Sequence, residues 1–252
     1  MKDAAKTFAA SLVTLAVLVT LWWWLTLPGG FEKSVLPSPL DVAGALRAGL
    51  VDGTLHPHIA ATARAALAGL ALGVALGVAA GSMVVLVPVL EMFLLPVVTA
   101  MQSIPKVALA PLIVAYLGFG IASKIFTAAL LAFFPAFLAA VAGLRSADRA
   151  HLDLFRACSA SPLRTLWHVR LPAAAPFLFG ALQVAVVFSL IGVVVSEFIA
   201  ATQGLGFVIK ARSLELDVSM MFAAIIVLCA MGAGAGLLVR LLQRRIVFWR
   251  HA

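Results

Sequence analysis

The chain has 252 residues, of which 64% are hydrophobic and 11% charged, where a soluble domain carries about a quarter charged residues. That composition excludes an ordinary soluble enzyme, and apolar runs of roughly 20 residues fit membrane-crossing helices rather than the short alternating strands of a β-barrel. The net charge of +8 invites a nucleic-acid reading, but the placement of the basic residues explains it as a topology signal instead.

In chain order, hydropathy predicts spans at about 7–28, 58–86, 89–117, 121–144, 174–200 and 218–242. The expected fold is all-α: a polytopic membrane protein with about six transmembrane helices. The first apolar run is too long for a signal peptide and has no small-residue cleavage site before Pro28, so it reads as a retained helix with Trp22, Trp23 and Trp24 near the interface. Lys2, Lys6, Arg145, Arg149, Arg156, Arg164, Arg170, Arg240, Arg244, Arg245 and Arg250 all fall on one side. Lys33, Arg47, Arg64, Lys124, Lys210 and Arg212 fall on the other. The richer side is expected to be cytoplasmic and to hold both termini.

Between the first two spans, LPSPLDVAGALRAGLVDG predicts a short amphipathic helix, capped by Ser38 with Pro39 at its first position. Its apolar face is expected to carry Val42, Leu46 and Leu50. The second span places Gly69, Gly73, Gly77 and Gly81 on one face, continued backward by Ala65 and Ala61, which predicts a close helix–helix seam. Whether that seam lies within one chain or between two stays open from spacing alone.

The third span is broken at MQSIPKVALAPL, where Pro105 and Pro111 interrupt the helix near Gln102, Ser103 and Lys106. Irregular backbone at membrane depth belongs where it faces protein or a water-filled cavity, so these residues are pathway candidates. Lys106 has two readings: it neutralises an anionic solute, or it pairs with Glu197 near the outer end of the fifth span. The pairing is the preferred one. After Glu197, ATQGLGFVIKARSLELD turns on Gly204 and Gly206 around Leu205, which suits a short re-entrant outer gate element or, equally, a plain extracellular loop. His56 and His58 read as surface polarity, and Cys158 and Cys229 have no metal or redox spacing.

The longest polar stretch, DLFRACSASPLRTLWHVRLP at 153–172, follows the fourth span. Ser146 is expected to cap a helix from about Ala147 to Cys158, Ser159 to Ser161 to interrupt it, and Ser161-Pro162 to start a second. Such a helix–turn–helix suits docking into a groove on a cytoplasmic partner. No G-x-x-x-x-G-K-[ST] phosphate loop is present, and GFGIASK at 118–124 has the wrong spacing.

This segment resembles the coupling loop of ABC-importer permeases, the binding-protein-dependent transport inner-membrane component family. In register with Leu171-Pro172, Asp153 takes the acidic position, Leu154 and Phe155 the two small positions, and Ser159 the glycine of that loop's pattern. LPSPLDV, SIPKVALAPLIVAYLGFGIASKIF, FFPAFL, AGLRS, SEFIAATQGLGFVI and MFAAII are also similar to segments of the nitrate, sulfonate and taurine branch. GSMVVLVPVLEM departs, because relatives usually carry arginines between the second and third spans.

The resemblance implies a type I importer permease fold in a bacterial inner membrane. Residues 1–57 would add a first helix and an outer amphipathic helix to a core at 58–252, with the coupling loop at 145–172. It implies no catalysis by this chain, with ATP and Mg bound by a partner ATPase. Asp153, Leu154, Phe155, Arg156, Ser159, Ala160, Leu171 and Pro172 would couple to that ATPase. The other implied partners are a second permease copy, a periplasmic or lipid-anchored solute-binding protein and membrane lipid. Expected solutes are small anions such as a sulfonate, nitrate, bicarbonate or carboxylate, with a pyrimidine-type vitamin precursor as the alternative. The competing class is an ion-coupled secondary transporter, which calls for an inverted repeat and several buried carboxylates. No such repeat is visible, and Glu197 is the one acidic residue placed in a span core.

Overall fold

A computed structural model describes residues 2–27 and 30–251, so Pro28, the expected end of the first helix, lies outside the described residues. The elements are α1 (Lys2–Leu25), α2 (Pro39–Val51), α3 (His56–Leu86), α4 (Pro88–Gln102) and α5 (Ala110–Leu117). They continue with α6 (Ile121–Arg145), α7 (Arg149–Ala157), α8 (Pro162–Thr165), α9 (Leu171–Ala200), α10 (Leu205–Leu214) and α11 (Val218–Ile246). A 3₁₀ turn at Lys106–Leu109 precedes α5, and a π turn at Leu166–Arg170 precedes α9.

Among the described residues, four runs are long and apolar enough to cross a membrane: His56–Leu86, Ile121–Arg145, Pro162–Ile199 and Val218–Ile246. The pair Pro88–Gln102 and Lys106–Leu117, bent by 88°, makes up to five. In α1 the apolar part is the shorter stretch Leu12–Leu25. The break at Pro105 is therefore deep: it turns the chain nearly at right angles rather than kinking one straight span.

Helices α3, α6 and α9 form the centre, with α6 packed between the other two. The glycine face of α3 meets α6 within the same chain. A Cβ on Gly77 would lie 2.9 Å from the Cβ of Ala136, and one on Gly81 would lie 2.6 Å from that of Ala140. Gly69 and Gly73 face Ala128 and Ala132 in the same way. Both stripes advance by four in the same direction, so α3 and α6 run parallel with small residues in register. Apolar lipid supplies no hydrophobic drive between helices, so this backbone-close packing holds the pair.

Side-chain contacts define two ends of the bundle. At one, Trp22 stacks on Phe222 with centroids 5.8 Å apart and donates its indole N–H to the Pro37 carbonyl at 3.0 Å. At the other, Arg145 pairs with Glu91, and α3 passes into α4 through Val87 alone. That single-residue connection accounts for the departure at GSMVVLVPVLEM.

Ser38 caps α2 in a full capping box with Asp41, as its sequence predicts. The packed face of α2 differs by one residue in its last turn: Val42 and Gly49 are buried, Leu46 is partly buried, and Leu50 is exposed. Gly49 fits there because a Cβ would press within 2.7 Å of Leu55. The helix lies against α11 through this face.

Candidate functional site

Glu197, near the end of α9, has no exposed surface. Its carboxylate accepts from Lys124 Nζ at 3.1 Å, from the Gly206 N–H at 2.9 Å, and from the Thr62 hydroxyl at 3.1 Å to either oxygen. Lys124 also donates to the Gln203 carbonyl at 2.5 Å. The Thr62 oxygen accepts from the Leu205 N–H at 2.9 Å, and His58 Nδ1 accepts from the Gly204 N–H at 3.1 Å. A buried charge is tolerated when it is paired and its lone pairs are filled, and both conditions hold here.

This knot ties α3, α6 and α9 to the start of α10. The first N–H groups of a helix lack partners in their own helix, and here side chains from other helices supply them. Gly204, at φ 125°, is required twice over: the backbone conformation favours glycine, and a Cβ would collide with the Glu197 carboxylate. Leu205, Gly206, Val208 and Ile209 are buried, so α10 is a packed helix rather than a loose loop.

The preferred pairing of Lys106 with Glu197 is thus corrected. Glu197 takes Lys124, which lies at its own depth near the start of α6, whereas Lys106 lies lower at the break of α4 and α5. His58 also has a structural partner and is more than surface polarity; it stacks on Phe207 with centroids 5.8 Å apart. The residues missed here are Lys124, Thr62 and His58. Matching depths would have found the first, since Lys124 and Glu197 were both assigned to the outer third of their spans.

Lys106 opens the 3₁₀ turn after Pro105. Its ammonium donates to the Gln102 carbonyl at 3.2 Å and stands 4.3 Å over the Phe134 ring. Phe134 sits near the midpoint of α6, which puts the charge at mid-depth in the bundle. Gln102 and Lys106 border a cavity of about 400 Å³ whose remaining walls include Leu131, Phe134, Leu138 and Phe188. Of the four pathway candidates, the structure brings Gln102 and Lys106 together, leaves Ser103 off the lining, and places Glu197 in a separate cluster.

The polar stretch 153–172 forms a short helical hairpin at the Arg145 end. Asp148, not Ser146, caps the first helix, accepting from the Ala150 N–H at 2.9 Å, so α7 runs Arg149–Ala157. Ser146 instead closes α6, its hydroxyl donating to the Gly143 carbonyl at 2.7 Å. Arg156 pairs with Asp153 at 2.9 Å on the exposed face. Ser159 reverses the chain at φ 52°, the left-handed region that favours glycine, which gives a physical reason for glycine at this place in the family pattern.

Ser161 caps α8 as expected, accepting from the Arg164 N–H at 3.3 Å. The second helix does not end at Leu171-Pro172. It passes through the π turn into α9 as one run from Pro162 to Ile199, and the π turn lies where Pro172 has no N–H to donate to the preceding turn. Leu166 is buried with Leu144 and Ala174, and Arg170 donates to the Leu144 carbonyl at 3.3 Å. The hairpin is therefore fastened to the ends of α6 and α9. Phe155 turns inward, 6.5 Å from the His168 ring, while Leu154, Leu163 and Trp167 remain exposed at 57%, 60% and 63%. The last two were not among the expected contact residues, although their spacing of four marks one helical face.

Residues 73–248 match the family model described as "Binding-protein-dependent transport system inner membrane component". The chain belongs to that family. This permease is 36% identical over 94% of its length to the riboflavin transport system permease protein RibX of Chloroflexus aurantiacus, covering 88% of that protein. It is 32% identical over 95% of its length to the taurine transport system permease protein TauC of Escherichia coli, covering 89%. It is also 28% identical over 99% of both chains to the formylaminopyrimidine transport permease protein ThiX of Halalkalibacterium halodurans. The ABC-importer permease resemblance read from the sequence is therefore correct, and the permease is a transport subunit with several apolar helices.

Proposed function

We propose that this permease forms the translocation pathway of an ATP-driven importer and takes its energy from a separate ATPase through the hairpin at 153–172. The observation that carries the reading is mechanical. A short hairpin with exposed Leu154, Leu163 and Trp167 is fastened through Leu166 and Arg170 to two central spans. A partner that grips the exposed face would displace α6 and α9 as one body, the kind of rigid shift that switches a pathway between two packed states.

The basic Arg145 end would face the cytoplasm with both termini, and the Glu197 end would face the solute-binding protein. ATP and Mg would sit on the ATPase. Two copies of the permease would enclose the path, six spans each if α1 crosses the membrane. Relatives named for riboflavin, taurine and formylaminopyrimidine span neutral, zwitterionic and heteroaromatic solutes. They are compatible with the pyrimidine-precursor alternative and do not by themselves favour the anion expectation. Family membership favours ATP-driven import over an ion-coupled carrier.

Co-purification tests the coupling. Trp167→Asp with Leu163→Asp should release the ATPase while the permease still inserts and folds. Full retention of the ATPase would remove the hairpin from the interface.

A further inference from the structure

The ammonium of Lys106 is a cation at mid-depth with incomplete compensation. It has three donors, of which one reaches the Gln102 carbonyl, and a ring face supplies its other contact. Ionisable groups at such depth are costly; they face the bundle interior or a water-filled cavity, pair with one another or with backbone carbonyls, and mark solute or ion paths. Among the described residues, the acidic side chains within α3, α4, α6, α9 and α11 are Glu91 and Glu197. Glu91 is engaged by Arg145 and Glu197 by Lys124. A second copy of the permease brings the same two, equally engaged. Among the described residues no carboxylate pairs with Lys106, which leaves its half-buried ammonium open to an anion from outside the chain.

The cavity restricts what that counter-charge can be. Its volume of about 400 Å³ is that of a site for a whole organic ligand, commonly about 300–1,000 Å³. Apart from Gln102 and Lys106 its main walls are Leu131, Phe134, Leu138 and Phe188. Nitrate or bicarbonate would meet the ammonium and leave the apolar wall wet. A zwitterion would bring an ammonium group into a space where no carboxylate receives it.

We propose that Lys106, Gln102 and this wall form a solute site for an organic anion with an apolar body and no ammonium group. The inference rests on the permease reading and narrows its substrate class. Lys106 holds the anionic head, the Gln102 amide supplies a second polar contact, and Phe188 with Leu138 covers the body. A lipid headgroup carries the same anionic chemistry, so the test must separate the two sources.

The experiment uses the full chain co-purified with its ATPase in nanodiscs of phosphatidylcholine, titrated with 1-naphthalenesulfonate. Saturable binding is expected, at least tenfold weaker in Lys106→Met, with taurine and nitrate competing at least a hundredfold less well. Lys106→Glu should reverse the preference toward 1-naphthylmethylammonium. Phe188→Ala, which keeps the charge, should weaken 1-naphthalenesulfonate but leave methanesulfonate unchanged. Equal affinity in wild type and Lys106→Met, equal competition by taurine, or displacement by added phosphatidylglycerol would each overturn the site. Loss of the ATPase on purification counts against the permease reading instead, and the titration on the full chain stays readable without it.

Discussion

Lys124 and Glu197 stand 73 residues apart in sequence and 3.1 Å apart in space, joining the start of α6 to the end of α9 with almost no exposure of either side chain. Breaking such a buried pair by removing one partner costs about 3–5 kcal/mol, because the other charge is left without compensation. Glu197→Ala should fall in that range and should also free the start of α10, since the Gly206 N–H loses its acceptor. Glu197→Gln keeps an oxygen for Thr62 or Gly206 and should cost less. Thermal unfolding of the purified permease, with amide exchange across residues 204–209, checks both. Equal melting of the alanine variant and wild type would show that the knot does not hold the bundle.

The seam between α3 and α6 predicts a graded response to added volume. Gly77→Ala forces a Cβ within 2.7 Å of the Phe133 carbonyl and 2.9 Å of the Ala136 Cβ. Overpacking of this kind costs about 1–3 kcal/mol. Gly77→Val should do worse and prevent stable insertion. By contrast Gly234→Ala on α11, with open space around its Cβ, should be neutral. Size-exclusion profiles and melting temperatures separate the three.

At Ser159 the left-handed backbone costs an L-residue about 1–2 kcal/mol. Ser159→Gly should therefore raise the melting temperature slightly and keep the ATPase bound. A β-branched residue suits positive φ least, so Ser159→Val should distort the hairpin and lower ATP-driven uptake while the bundle stays folded. Comparable uptake in the valine variant would show that the reversal at this position is dispensable.

Asp41 gives a pH dependence whose sign is set by its surroundings. Hydrogen bonding to Ser38, then to Lys33, holds its carboxyl below the usual carboxylate range. A lowered folded pKa stabilises the folded state above the unfolded value, and the benefit is lost as pH falls through the folded one. The N-terminal turn of α2 should thus exchange its amides faster below about pH 4. Asp41→Asn should abolish that acid-side change while retaining much of the cap.

The sites were legible to different degrees. The Ser38 box and the Ser161 cap follow from local rules, since a cap needs only its own first turn. Asp148 in place of Ser146 was missed because two polar residues, separated only by Ala147, each offer an oxygen that could cap a helix, and packing at the end of α6 chose between them. The partner stripe of Ala128, Ala132, Ala136 and Ala140 was visible at the same spacing as the glycines, yet alanine is so common in apolar helices that it carries little signal. Phe155 read as a coupling contact from its place in the loop pattern that the segment resembles. Its ring is instead drawn to His168, a contact made only once the hairpin has closed.

Hydropathy and local capping chemistry determined by themselves that the chain is a helical membrane protein, where four of its spans fall, and where proline breaks a fifth. These follow from interactions within a few residues or with the bilayer, which require no knowledge of the fold. Only the tertiary structure decided that Glu197 belongs to Lys124, that the glycine seam closes within one chain, and that Lys106 stands beside a cavity without a carboxylate. Each of those depends on which helices meet and at what depth. Pairing at that range is set by the packing of whole helices, to which single residues contribute too weakly to be read one at a time.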